Sequence, residues 1–276
     1  VQMKGQIIKI ISNDYFVSYQ NKEYICKARG KLRQENKTPK VGDYCIFNKE
    51  EKIIEKILPR KNELERPSVS NIDVSFIITS LKSPDFSTNL LDKLLVICEI
   101  NEIEPIICLT KKDLLTKQEW KDLKQIIKYY KSLGYKVVYN KEISKIKKMF
   151  KNKTTVFTGQ TGAGKSTLLN KLDKSLNFET NEISKALGRG KHTTRYVTLV
   201  NIGKGKVLDT PGFSALDLSL YSDDQIKKAF PEFNHNKCSY KNCMHINEKE
   251  CTIKKQIGNK ILKTRYENYK KFIEKR

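Results

Sequence analysis

Apolar and polar residues alternate with a period of two through the first fifth of the chain. The runs Gly5–Ile11, Tyr15–Tyr19, Glu23–Ala28, Asp43–Asn48 and Lys52–Ile57 read as strands, separated by Ser12-Asn13-Asp14, Asn21-Lys22 and the Pro39–Asp43 turn. Five such runs in roughly 55 residues predict a small all-β barrel such as an OB-fold. The aromatic and basic positions Tyr15, Phe16, Tyr19, Lys22, Tyr24, Lys27, Arg29, Lys31 and Arg33 suit stacking and phosphate contact on RNA. Aromatics in strands also serve as plain core.

Residues 58–71 are polar, hold two prolines and read as a linker. Beyond them the pattern changes. Apolar strand-like runs at Val74–Ser80, Pro105–Thr110, Lys136–Tyr139 and Thr154–Thr158 alternate with helical periodicity near Asn89–Asn101, over Lys117–Leu133 and up to Phe150. Such alternation predicts a mostly parallel, doubly wound α/β sheet, whose ligands bind at the carboxyl ends of the strands. The segments just after Thr110 and Thr158 are therefore where chemistry is expected. A lysine-rich helical stretch, Thr252–Arg276, carries Tyr266, Tyr269 and Phe272 at helical spacing, a docking face.

The 276 residues suffice for two or three domains, and 38% apolar content excludes a disordered chain. The longest aliphatic stretch, near Leu94–Cys98, is far short of the roughly 20 residues of a membrane span. The formal charge of +23 is spread as +5 over residues 1–65, +11 over 66–218 and +7 over 219–276. A polyanionic partner fits that excess. Lysine outnumbers arginine 46 to 8, however, so nucleotide bias in the coding sequence accounts for it equally well. Seven cysteines and an N-terminus without an apolar leader suggest a reducing cytoplasmic setting. Cys26, Cys45, Cys98 and Cys108 sit singly in apolar runs and are expected in cores.

Three short motifs carry chemistry. Gly159-Gln160-Thr161-Gly162-Ala163-Gly164-Lys165-Ser166, continuing into Thr167, follows a strand and opens a helix, the context of a P-loop. Its backbone N–H groups can converge on phosphate oxygens, Lys165 adds a cation, and Ser166 can ligate Mg²⁺. Asp209-Thr210-Pro211-Gly212 ends the apolar run Lys206–Leu208, putting a carboxylate for Mg²⁺ and a glycine N–H for a γ-phosphate at a strand end. Thr110-Lys111-Lys112-Asp113 ends another strand. There a carboxylate can accept the N1–H and 2-amino hydrogens of guanine while the Lys111 stem covers the base; an Asp ahead of a helix is otherwise a common N-cap.

Near the end, Cys238, Cys243, His245 and Cys251 supply three thiolates and an imidazole within 14 residues, the donor set of a closed tetrahedral Zn²⁺ site. His235 is a spare donor nearby.

The order of these elements is unusual: 110–113 precedes 159–166, whereas GTPases ordinarily present the P-loop first. With the barrel ahead and the Cys/His cluster behind, the chain resembles the RsgA or YjeQ family of circularly permuted, small-subunit-dependent GTPases over nearly its whole length. Arg60–Pro67, Gly159–Ser166, Gly188–Arg195, Asp209–Phe213 and the terminal cysteines carry the resemblance. It implies an OB-fold RNA-binding domain at 1–65, a permuted G domain at 66–218 and a zinc-binding helical domain at 219–276. It implies also GTP/GDP, Mg²⁺ and one Zn²⁺ as ligands. The small (30S) ribosomal subunit and its rRNA are the implied partners, with other assembly factors acting in the subunit's late maturation, and the protein is expected to be a cytoplasmic monomer with no membrane partner. Rival readings are a permuted GTPase of the large subunit and a non-enzymatic RNA-binding protein with a structural nucleotide.

Two positions depart from the family's pattern. Thr110 stands where Asn is more usual, and Asn140-Lys141 replaces a Ser-Ala pair. The residue after Asp209–Gly212 is Phe213, which cannot orient water as the glutamine of many GTPases does. His192 is the expected substitute, with Thr193 and Thr194 offering a hydroxyl and backbone N–H toward Mg²⁺ and the γ-phosphate, beside Lys165.

Overall fold

In a computed structural model, residues 2–30, 38–65, 67–173, 197–209, 217–234 and 238–274 are described. The first five predicted strands form: β1 (Gln2–Ile11), β2 (Asp14–Tyr19), β3 (Lys22–Ala28), β4 (Tyr44–Asn48) and β5 (Ile53–Ile57). They pair in the order β1-β2-β3-β5-β4, and β1 pairs β4 as well, which closes the barrel and removes its free edges. β1 carries a register shift between Ile7 and Lys9, the kind of irregularity that lets a strand bend around a barrel.

The barrel interior explains why most of its aromatics do not stand ready for RNA. Tyr15 is buried with Ile7, Val17, Cys26, Cys45, Phe47, Ile54 and Ile57, and Tyr19 and Tyr24 pack against that cluster with ring centroids 6.1 and 5.5 Å from Phe47. Phe16 is half-buried with the Lys9 ammonium over its ring. Lys31 and Arg33 lie outside the described residues.

Residues 58–71 are packed rather than a loose linker. Two short strands, β6 (Glu63–Leu64) and β7 (Val69–Ser70), form an antiparallel ribbon. The buried Asp43 carboxylate draws the segment onto the barrel: it accepts from Arg60 Nε and Nη2, each at 2.8 Å, from Ser70 Oγ at 2.6 Å and from the Lys40 backbone at 2.7 Å. A fully buried carboxylate with four donors, one of them a two-toothed guanidinium, fixes the residues that bring those donors.

The remaining strands are β8 (Val74–Ser80), β9 (Glu104–Thr110), β10 (Lys136–Tyr139), β11 (Thr154–Gly159), β12 (Thr198–Ile202) and β13 (Gly205–Asp209). The helices are α1 (Thr88–Ile100), α2 (Lys117–Ser132), α3 (Ile143–Phe150), α4 (Lys165–Leu172), α5 (Asp223–Lys228), α6 (Pro231–Asn234) and α7 (Lys263–Glu274). The chain divides into two compact units. The first takes Val1–Ser75, Glu142–Phe157 and Lys165–Phe213; the second takes Phe76–Lys141, Thr158–Gly164 and Ser214–Arg276.

In the first unit the barrel is continuous with the α/β strands. β12, which the sequence pattern did not announce, pairs antiparallel with β1 at Lys9↔Thr198 and with β13, and β13 runs parallel to β11. Lys206 on β13 donates to the Gln6 side chain on β1 at 2.5 Å.

In the second unit β9 and β10 are parallel, with Leu109 opposite Tyr139. All seven residues of β8 are buried, as a parallel strand covered on both faces requires. The core of this unit holds an ion cluster. Arg265 of α7, with a fully buried side chain, donates to Asp92 of α1 at 2.6 Å and to Glu232 of α6 at 2.5 Å. Asp92 also accepts from Tyr130 of α2 at 2.6 Å and from Asn268 at 2.7 Å. The tyrosines expected to dock the last helix do so: Tyr266, Tyr269 and Phe272 are buried. Among the described residues no helix is long and apolar enough to cross a membrane.

Candidate functional site

The loop after β11 has the backbone that converging N–H groups need. Gly159, Gly162 and Gly164 have φ of +130°, +76° and +99°, a region closed to most L-residues. At Gly159 a Cβ would lie 2.0 Å from the Ile78 carbonyl oxygen, so packing against β8 forbids any side chain there. Ala163 is buried, whereas Thr161, Gly162 and Thr167 are exposed and Gln160, Gly164 and Ser166 are half-buried. The loop ends at Lys165, the first residue of α4, so the open N–H groups of a helix start face the same way as the loop's amides. Burial pushes the Lys165 ammonium down from its ordinary range. A phosphate anion beside it would restore the charged form, so the residues present fit a nucleotide's phosphates.

The strand end at Thr110 is coupled to this loop. Thr110 is 1% exposed and its hydroxyl donates to the Ala163 carbonyl at 2.7 Å. The bond that organises the loop is therefore made by Thr110, in the position where Asn is more usual. Lys111 adopts the left-handed conformation with φ +57°, and its ammonium donates to the Ser83 carbonyl. Lys112 turns the other way, its ammonium 4.0 Å from the Trp120 ring centre and 5.2 Å from that of Tyr139. Asp113 lies in a single 3₁₀ turn, exposed, with Lys141 Nζ 3.9 Å from Oδ1. A carboxylate held open at a strand end can accept two donors from a base edge.

Asp209 ends β13, with its backbone opposite Thr198. His192, Thr193, Thr194, Gly212 and His235 lie outside the described residues.

The cysteine cluster closes into one group. The donor atoms of Cys238, Cys243, His245 and Cys251 all lie within 4.8 Å of one another. Cys238 Sγ to Cys251 Sγ is 3.9 Å, and His245 Nδ1 is 3.5 and 3.3 Å from those two sulfurs. Tetrahedral zinc with its usual bond lengths sets sulfur–sulfur edges at about 3.8 Å and sulfur–nitrogen edges at about 3.5 Å. The donor set and its spacing thus fit zinc. Helix α7 braces the loop that carries the donors: Tyr266 Oη donates to the His245 carbonyl at 2.6 Å and Tyr269 Oη to the Met244 carbonyl at 2.5 Å. Glu248 accepts from the Met244 and Ile246 backbones at 2.7 and 3.0 Å, which tightens the turn at His245.

Sequence reasoning missed three groups that the tertiary structure brings in: Trp120 with Tyr139 around Lys112, Lys141 beside Asp113, and the Arg265 cluster. For the last a signal existed. Where lysine outnumbers arginine 46 to 8, an arginine such as Arg60 or Arg265 marks a place that needs a planar, two-toothed donor.

Comparison with known proteins agrees with this arrangement. A family model described as RsgA GTPase matches residues 57–219, and one described as RsgA N-terminal domain matches residues 4–53. The chain is 44% identical to the small ribosomal subunit biogenesis GTPase RsgA of Enterococcus faecalis, over 99% of this chain and 95% of that protein. It is 44% identical to RsgA 2 of Oceanobacillus iheyensis, over 98% of this chain and 96% of that protein. Among solved structures it resembles YjeQ of Thermotoga maritima, at 31% identity and a TM-score of 0.85, covering 100% of this chain and 98% of that one. It also resembles YloQ, a circularly permuted GTPase, at 32% identity and a TM-score of 0.81, covering 100% and 95% of the two chains. A barrel closed by its own first strand, a base-reading strand end that precedes the phosphate loop, and matches over nearly the full length agree: the chain belongs to the RsgA family of circularly permuted GTPases.

Proposed function

We propose that this protein binds the small ribosomal subunit and its rRNA, is stimulated by them to hydrolyse GTP to GDP and phosphate, and assists a late step of that subunit's maturation. The observation that carries the reading is the bond from Thr110 to Ala163, which joins a guanine-reading strand end to a phosphate loop. The relatives' names, with their small ribosomal subunit, support the ribosomal half.

Each residue's task follows from its chemistry. The N–H groups from Gly159 to Ser166 hold the α- and β-phosphates, Lys165 spans the β- and γ-phosphates, and Asp113 with Lys111 holds the guanine. Ser166 and Asp209 are the residues assigned to Mg²⁺, which would neutralise charge developing on the bridging oxygens. His192 orients a water in line with the γ-phosphorus and takes its proton as the bond to the β-phosphate oxygen breaks. Thr193 and Thr194 fix the loop against the γ-phosphate. With Phe213 following Gly212, intrinsic turnover is slow, and ordering of the His192 loop by the partner accelerates it.

The division into a barrel at 1–65, a G domain at 66–218 and a zinc-binding domain at 219–276 belongs to the same proposal. So do a structural zinc on Cys238, Cys243, His245 and Cys251, RNA contacts from lysines of the barrel and of α7, a monomeric state and a cytoplasmic location.

GTP turnover measured alone, and with small subunits, large subunits or bare RNA, tests the reading. Stimulation by small subunits alone is the expected result. Stimulation by large subunits would assign the protein to the other particle, and no turnover under any condition would leave a nucleotide-stabilised RNA-binding protein. With small subunits present, His192→Ala lowers turnover at least tenfold; a loss of less than a few-fold would remove His192 from the mechanism.

A further inference from the structure

The base-reading end of this site contains a cation that the family's pattern does not place there. Guanine's recognition edge presents an acceptor, O6, next to two donors, N1–H and the 2-amino group. A carboxylate reads only the donors, so O6 requires a donor of its own next to Asp113. Parallel pairing of β9 with β10 sets Leu109 opposite Tyr139, and the Asn140 backbone donates to the Leu109 carbonyl at 3.0 Å. The chain leaving β10 thereby runs beside the chain leaving β9. Lys141 Nζ comes to 3.9 Å from Asp113 Oδ1, with side chains 74% and 60% exposed. That separation exceeds hydrogen-bond length, so the two groups attract through charge while both face open solvent.

The other two lysines of the loop are committed elsewhere. Lys111 donates to the Ser83 carbonyl, and Lys112 lies over the Trp120 and Tyr139 rings. Residues 140–141 replace the Ser-Ala pair of the family's pattern, so the change of sequence falls at the place where the cation appears.

We propose that Lys141 is a specificity-determining residue of the nucleotide site, its ammonium donating to guanine O6 while the carboxylate of Asp113 accepts from N1 and N2. The pair would read acceptor and donors together, a pattern that adenine, with a 6-amino group and no N1–H, presents in reverse. The inference rests on the assignment of the 110–113 loop to guanine.

The test compares wild type with Lys141→Met for GDP and for 6-thio-GDP, which keeps N1–H and the 2-amino group but offers a weaker acceptor at position 6. The sole tryptophan, Trp120, stands beside Lys112 in this loop and its fluorescence follows binding. Losing a charge-assisted hydrogen bond weakens GDP binding about 10- to 100-fold in Lys141→Met. The loss for 6-thio-GDP is several-fold smaller, and Lys141→Arg retains most of the GDP affinity. Equal losses for both nucleotides would mean a general charge effect, and no loss would mean that backbone N–H groups read O6; either result overturns the inference while leaving the guanine site in place. A wild-type protein that binds no GDP would overturn the guanine assignment itself, and this inference with it. The side chain is exposed, so an unchanged melting temperature of Lys141→Met is expected alongside.

Discussion

Replacing Arg265 by Met separates the two parts of the second unit that its guanidinium ties together. The side chain is 0% exposed, and its nitrogens lie 2.6 Å from Asp92 and 2.5 Å from Glu232, whose side chains are 0% and 5% exposed. Its guanidinium carbon also sits 4.6 Å from the Phe230 ring centre. Methionine fills most of the volume but leaves both carboxylates without a cation. Asp92 keeps only the neutral donors Tyr130 and Asn268, and Glu232 keeps Tyr129 at 3.3 Å. Removing one partner of a buried ion pair costs about 3–5 kcal/mol, which for a chain of this size lowers the melting temperature by roughly 6–20 °C.

The deficit depends on pH in a definite direction. Burial pushes the Asp92 carboxyl above its ordinary range, against the opposing pull of Arg265. Without Arg265 it rises further, so the folded variant binds a proton that the unfolded chain has already released. Stability contributed in that way is present at low pH and lost as pH rises through the folded value. The variant's deficit is therefore smaller at pH 5 than at pH 8. Adding Asp92→Asn to Arg265→Met removes one stranded charge and recovers part of the loss, a coupling that a double-mutant cycle in urea reads directly. A deficit under about 1 kcal/mol, or one that does not change with pH, would refute the claim that this cluster works as a buried charge network.

Two other outcomes are expected. Thr110→Val keeps the shape of the side chain but leaves the Ala163 carbonyl without its donor, so GDP binding weakens about tenfold while Thr110→Ser stays near wild type, both measured by equilibrium titration. The purified protein carries one zinc per chain by elemental analysis; Cys251→Ser or strong chelation removes it and raises amide exchange through 238–251, with the effect smaller at α7, which its own aromatic contacts hold.

Much of this was readable from residue pattern alone because it depends on local chemistry. The period-two runs of the barrel, the buried β8, the glycines at 159, 162 and 164 and the four donors between 238 and 251 each announce their role within a short stretch. A φ of +99° at Gly164 or a thiolate cluster follows from what those residues are, whichever neighbours they later meet. The pattern failed where a side chain's role depends on a distant partner. Polar residues 58–71 read as a linker because nothing nearby discloses that Arg60 and Ser70 reach Asp43. Tyr15 looked available for RNA because alternation does not tell which face of a strand a closed barrel turns inward. β12 is short and unremarkable in composition; its pairing with β1 and β13 makes it a strand.

The sequence by itself thus determined the chemical inventory of this protein: a phosphate loop, a base-reading carboxylate ahead of it in the chain, a soft-donor metal cluster and a cationic surface. Tertiary structure decided the assignments among lysines that composition treats as alike. Lys111 goes to a carbonyl, Lys112 to two aromatic rings and Lys141 to Asp113, because parallel pairing of β9 and β10 brings two chain ends together across about 30 residues. A motif fixes which atoms are offered within a few bonds, whereas the partner of a long, flexible side chain is chosen by the strands and helices that end beside it.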